Sequence, residues 1–142
     1  MDLSASVHIR RPSDEVFAYL AEPSNNPVWQ KGMKRCEWIT DGPTAVGSQY
    51  RQEASFLGRS VVSVFEVVEL TPDESITFDT IESTFPIKVR RAVEGLGDGT
   101  CRVSAQIAGG PRVPRFTEGV VHRIAQQAVS KDYDRLVAVL AP

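Results

Sequence analysis

The chain has 142 residues, 42% hydrophobic and 24% charged, with a formal net charge of -2. That suits a single domain over 1–142 and supplies no long-range field to attract nucleic acid or an anionic membrane. No stretch approaches the ~18 uninterrupted apolar residues of a membrane span, and the first twelve residues lack the pattern of an export leader, so a cytoplasmic location is expected.

From Leu3 to Ile9, apolar residues alternate with Ser4, Ser6 and His8, the period of a half-buried strand. Ser13 is expected to cap a helix whose first turn carries Asp14 and Glu15 and whose buried stripe is Val16, Phe17 and Leu20. Pro23 to Pro27 stops it, Val28-Trp29 begins a second, very short helix, and Met33 to Thr40 is a weaker strand.

After Gly47, Tyr50, Gln52, Ala54 and Phe56 share one strand face while Arg51, Glu53 and Ser55 share the other. Ser60 to Leu70 is apolar on both faces, which predicts a central strand covered on both sides. Three further alternating runs follow, from Ile76 to Glu82, Ile87 to Glu94 and Cys101 to Ile107, separated by turn sequences. Short strands at hairpin spacing mean an antiparallel sheet, because parallel neighbours need long crossovers. A helix is predicted from about Pro114 to Leu140. Its first half repeats apolar residues at Phe116, Val120, Ile124 and Ala128, about 140° from the stripe of Tyr133, Leu136, Val137 and Leu140. Either the helix bends near Ala128 to Ser130, or its halves bury against different parts of the sheet.

Cys36 and Cys101 lack a CxxC partner and only two histidines are present, which leaves no standard zinc set. Neither a metal nor a cofactor is expected, and both cysteines read as reduced core residues. No GxSxG, HExxH or phosphate-cradling glycine loop is present. His8 and His122 fall on outward faces, and Gly109-Gly110-Pro111 is either a plain connector or the hinge of a lid.

The run Val7-His-Ile-Arg-Arg-Pro12-Ser-Asp-Glu-Val16-Phe17-Ala-Tyr-Leu20, then Pro23-Ser-Asn-Asn-Pro27-Val-Trp29, resembles the opening of the polyketide cyclase/dehydrase-like group of the START and Bet v 1-like superfamily. Phe65-Glu-Val-Val-Glu-Leu70-Thr-Pro72 is similar to that group's central sheet segment. The resemblance implies an α+β helix-grip fold, in which a seven-stranded antiparallel sheet wraps a long C-terminal helix and two short helices sit between the first and second strands. It also implies a cavity for hydrophobic ligands, without choosing one activity.

Gln52, Thr80, Glu82 and Arg91 interrupt otherwise apolar strand faces. One reading has Arg91, with Gln52 or Glu82, orienting the polar end of an apolar guest. The other puts Glu82 at the sheet rim and lets Arg91 reach solvent or an ion pair. Trp29 is either a gate or a core anchor, and Tyr50, Phe56, Phe65, Phe78 and Tyr133 are chamber walls or core. The leading expectation is a hydrophobic ligand, polyketide-like, aromatic or lipid-like, bound by a monomer or homodimer. A cyclase or dehydratase moving protons with Glu82 or Tyr133, and a protein-interaction module, are the alternatives. No catalytic residue is assigned.

Overall fold

The computed structural model describes residues 1–142. Strand β1 (Asp2–Ile9) is followed by helix α1 (Ser13–Leu20), a 3-10 turn (Pro23–Asn25) and helix α2 (Asn26–Trp29). Strands β2 (Met33–Trp38), β3 (Gln49–Phe56), β4 (Arg59–Thr71), β5 (Ser75–Glu82), β6 (Ile87–Gly95) and β7 (Cys101–Gly109) come next, then a 3-10 turn (Arg115–Thr117) and helix α3 (Glu118–Val139). All seven strands form one antiparallel sheet in the order β1-β7-β6-β5-β4-β3-β2. This is the helix-grip arrangement expected from the sequence.

Period-2 alternation builds the sheet's inner face. Tyr50, Phe65, Val67, Phe78, Val93, Val103 and Ala105 are buried there, joined by Val16, Phe17 and Leu20 from α1, Trp29 from α2, and Tyr133 and Leu136 from α3. Each large side chain so hidden contributes roughly 1.5–3 kcal/mol. No helix is long and apolar enough to cross a membrane.

Two local expectations need correction. Ser13 is the first residue of α1 and its side chain makes no capping hydrogen bond; the Pro12 carbonyl accepts from Val16 N at 3.2 Å. Strand β4 is covered on one face only: Val61, Ser63, Phe65 and Val67 are buried while Val62 and Val68 stay open. The helices that meet the sheet lie over its inner face alone, and the outward valines act through the strand preference of β-branched side chains. Helix α3 is one continuous helix from Glu118 to Val139.

Helix α3 is fixed to the sheet along one flank. Gln126 acts as a one-residue strand on the edge of β1: its Oε1 accepts from Ser4 N at 3.2 Å and its Nε2 donates to Ser4 O at 2.7 Å. His122 Nε2 reaches Asp2 O at 2.9 Å one turn earlier.

Candidate functional site

The space between sheet and α3 has a packed end and an open end. At the packed end Arg91, on β6, is only 5% exposed. Its Nε donates to Tyr133 Oη, and its Nη1 to Leu20 O and Asn26 Oδ1, each at 3.3 Å. Its Cζ stands 5.0 Å from the Trp29 ring centroid and 6.0 Å from that of Phe78. Trp29 meets Tyr133 edge-on at 4.9 Å, and Tyr50 stacks on Phe65 at 5.2 Å. None of the six ion pairs includes Arg91, so this buried cation is held by neutral oxygens and ring faces alone.

Neighbouring groups register the same setting. Burial pushes the Cys36 thiol up to about 11, against the opposing pull of an Asn26 hydrogen bond and the Arg91 charge. Burial also raises the Tyr50 phenol, again opposed by Arg91. Both groups are neutral at physiological pH.

At the open end lies a groove of about 700 Å³. Its floor comes from Gln52, Ala54 and Phe56 of β3, Val61 and Ser63 of β4, Ile87 of β6 and Ile107 of β7. Its roof is the flank of α3 bearing Ile124, Ala128, Asp132 and Arg135, and Gln30 to Met33 closes one side. The β3–β4 and β5–β6 turns and the β7–α3 connection form the mouth through Leu57, Gly58, Phe85 and Gly109 to Pro111. Phe56 and Phe85 meet edge-on at 6.3 Å beside it.

The Gly109-Gly110 step takes φ of +108° twice, a region L side chains avoid. A Cβ on Gly109 would lie 2.1 Å from Pro86 O. Gly110 N donates to that same carbonyl at 3.0 Å. The connection is therefore pinned to the β5–β6 turn.

Several polar groups on the wall are already bonded within the protein. Asp132 is the one carboxylate lining the groove, and its Oδ1 already accepts from Lys31 N at 3.1 Å and Arg135 Nη1 at 2.8 Å. Arg135 Nη1 also donates to Trp29 O at 2.9 Å, tying α3 to α2. Ser63 and Ser83 hydroxyls satisfy each other at 2.7 Å. Gln52, 8% exposed, accepts from the Cys36 thiol at 3.9 Å. No group of three or more His, Cys, Asp or Glu converges.

Of the nine residues singled out in the sequence, Gln52 and Phe56 line this groove. Trp29, Tyr50, Phe65, Phe78, Arg91 and Tyr133 lie together in the packed interior. Glu82 is exposed at the end of β5, the rim position. A bulge in β5 leaves Ile81 unpaired, because the adjacent Val64 and Phe65 of β4 pair with Glu82 and Thr80, so the alternation of β5 breaks just before Glu82. Arg91 neither reaches solvent nor forms an ion pair, contrary to both routes considered for keeping a strand arginine solvated. His8 and His122 hydrogen-bond at the surface, to Thr100 Oγ1 and Asp2 O.

The lining residues not anticipated include Gln30, Val61, Ile87, Ile107, Asp132 and Arg135. One signal for the site stood in the sequence: the second apolar stripe of the last helix. Ile124 and Ala128 are its groove-facing members, whereas Ala125, Tyr133 and Leu136 are the buried ones.

The family model for polyketide cyclase/dehydrase and lipid transport proteins matches residues 1–141, and the chain belongs to that family. Its architecture is shared by a START superfamily protein from Mycobacterium smegmatis, with 16% identity, 98% of this chain and 96% of the other covered, and a TM-score of 0.81. Ginseng major latex-like protein 151 from Panax ginseng is similar at 17% identity, 100% and 98% coverage and a TM-score of 0.76. The Zhui aromatase/cyclase from a Streptomyces species follows at 12% identity, 99% and 90% coverage and a TM-score of 0.74. Identities this low establish the fold alone. No curated protein sequence matches the chain significantly.

Proposed function

We propose that this protein binds a hydrophobic small molecule in the groove between the sheet and α3. The observation that carries the reading is the groove itself: 14 of its 28 lining residues are hydrophobic, and its volume falls within the roughly 300–1,000 Å³ of small-molecule sites. A larger depression on the outer side of the β7–α3 connection has only two hydrophobic residues among nine, which suits solvent better. Affinity comes chiefly from apolar burial, at about 25 cal/mol per Å² hidden.

Placement favours binding over catalysis by a cyclase or dehydratase. Proton transfer requires a titratable group within hydrogen-bond reach of the substrate. Tyr133 Oη is engaged with Arg91 in the packed interior, Glu82 stands outside the groove, and Asp132 holds the Lys31 amide and the Arg135 guanidinium on its Oδ1.

Native mass spectrometry after incubation with fatty acids and polycyclic aromatics tests the reading. A retained guest is expected with the parent protein and none with Ala128→Trp, which fills the groove from an exposed helix position. Failure of the parent to retain any probe, or equal retention by Ala128→Trp, overturns it.

A further inference from the structure

The outer face of the sheet carries an apolar row that the monomer leaves uncovered. Val62 and Val64 of β4 point outward beside Ile81, the bulged residue of β5; Val62 is 41% and Ile81 53% exposed. Single exposed hydrophobics are ordinary, but these are neighbours, and they lie inside the sheet, away from its edge strands β1 and β2. They are also the half of the two-faced run Ser60 to Leu70 that no helix packs against.

The charges beside the row identify what covers it. Val64 pairs with Arg51 of β3 on one side and with Glu82 of β5 on the other. Residues directly opposed across strands share a face, so a cation, a valine and an anion stand in line on the outside. Elsewhere on this face such charges meet: Lys88 and Asp79 at 3.7 Å, Arg102 and Glu94 at 3.5 Å, and Arg90 and Glu69 at 4.0 Å over the small Thr77. Arg51 and Glu82 are exposed and belong to no ion pair.

A second copy laid on this face, related by a twofold axis along β4, exchanges left and right. It sets the two valines against their own counterparts and places Arg51 of each copy opposite Glu82 of the other, so the unpaired charges are matched twice. A twofold running across the strands would instead stack Arg51 on Arg51 and Glu82 on Glu82. The next row reads Gln49, Glu66, Asp79. The same axis brings the Gln49 amide opposite Asp79 of the other copy and leaves Glu66 facing itself. Glu66 Oε1 accepts from Gln49 Nε2 at 3.3 Å, so the two carboxylates lean to opposite sides of the axis.

We propose that this protein forms a twofold dimer through the outer face of β3, β4 and β5, with Val62, Val64 and Ile81 at its centre and Arg51–Glu82 pairs on its flanks. The groove lies on the inner side of the same sheet, so the dimer stands independently of the binding reading. Contact over three strands is small, which makes the association weak and concentration-dependent.

Sedimentation equilibrium between about 10 µM and about 1 mM tests the proposal, with the average mass expected to rise from monomer towards dimer. Arg51→Glu and Glu82→Arg, both at exposed positions outside the core, are each expected to weaken dimerisation about tenfold, because each creates two like-charge contacts. The two together are expected to restore it to within about threefold of the parent, a rescue that a merely structural role would not produce. Glu66→Gln is expected to tighten the dimer about threefold by removing the facing carboxylates. A parent that stays monomeric at the top of the range leaves the face to an unrelated partner and overturns the dimer. Association that survives both single reversals, or that the double reversal fails to restore, overturns it as well.

Discussion

Arg91 lies with its guanidinium carbon 5.0 Å from the ring centroid of Trp29, both side chains buried and no carboxylate paired with the cation. The arrangement ties β6, α1, α2 and α3 together, because the same guanidinium donates to Leu20 O, Asn26 Oδ1 and Tyr133 Oη. Arg91→Ala strands three acceptors and opens a void, and a loss of about 3–5 kcal/mol is expected in urea unfolding. Tyr133→Phe, which removes one acceptor, is expected to cost about 1 kcal/mol. A loss under 1 kcal/mol for Arg91→Ala would show that the hub does not hold the helices.

Gln126 completes the hydrogen bonding of Ser4 on the outer side of β1. Gln126→Ala is expected to destabilise the fold by about 1–2 kcal/mol. It is also expected to speed hydrogen exchange at the Ser4 amide more than at Ser6. Unchanged exchange at Ser4 would mean that the side chain does not guard the edge.

Gly109 and Gly110 share the same φ but not the same surroundings. A Cβ at Gly110 meets nothing within 4 Å, whereas one at Gly109 collides with Pro86 O. Gly110→Ala is expected to cost about 1–2 kcal/mol from backbone strain alone, and Gly109→Ala more than about 3 kcal/mol. Equal midpoints in thermal unfolding would contradict the difference.

The strand faces were legible because period 2 is a strong signal: Tyr50, Gln52, Phe65 and Phe78 all point inward as their alternation requires. Depth along the strand was not. Whether an inward residue meets packed protein or the groove depends on what α2 and α3 place over it, which is why Tyr50 is core and Phe56, six residues on, is wall. Arg91 shows the same limit, since its acceptors come from positions 20, 26 and 133 and no local pattern joins them. The doubled stripe on α3 was visible but ambiguous. Tyr133 and Leu136 of one stripe face the core while Ile124 and Ala128 of the other face the groove, so the two halves of the helix meet different surroundings.

The Cys36 thiol titrates near 9 in an unfolded chain and near 11 in the fold. A raised pKa favours the neutral form, so its contribution is fully present below about pH 9 and is lost as pH climbs towards 11. The Tyr50 phenol, raised above its ordinary 10.0, extends the loss upward. Urea unfolding at successive pH values is expected to show constant stability from this pair below pH 9 and a decline above it. Cys36→Ala is expected to flatten the part between 9 and 11. A parent protein equally stable at pH 8 and pH 11 would contradict the linkage.

The pinned end of the molecule and its mouth are built from different parts of the chain. Exposed or half-exposed residues such as Leu57, Phe85, Ile124 and Ala128 shape the mouth, while the Arg91 hub and its rings hold the helices to the sheet. Substitutions at the mouth therefore alter what the protein accommodates at small expense to folding, typically within about 0.5 kcal/mol at such surface positions. Guest selectivity in this architecture is free to diversify while the scaffold stays the same.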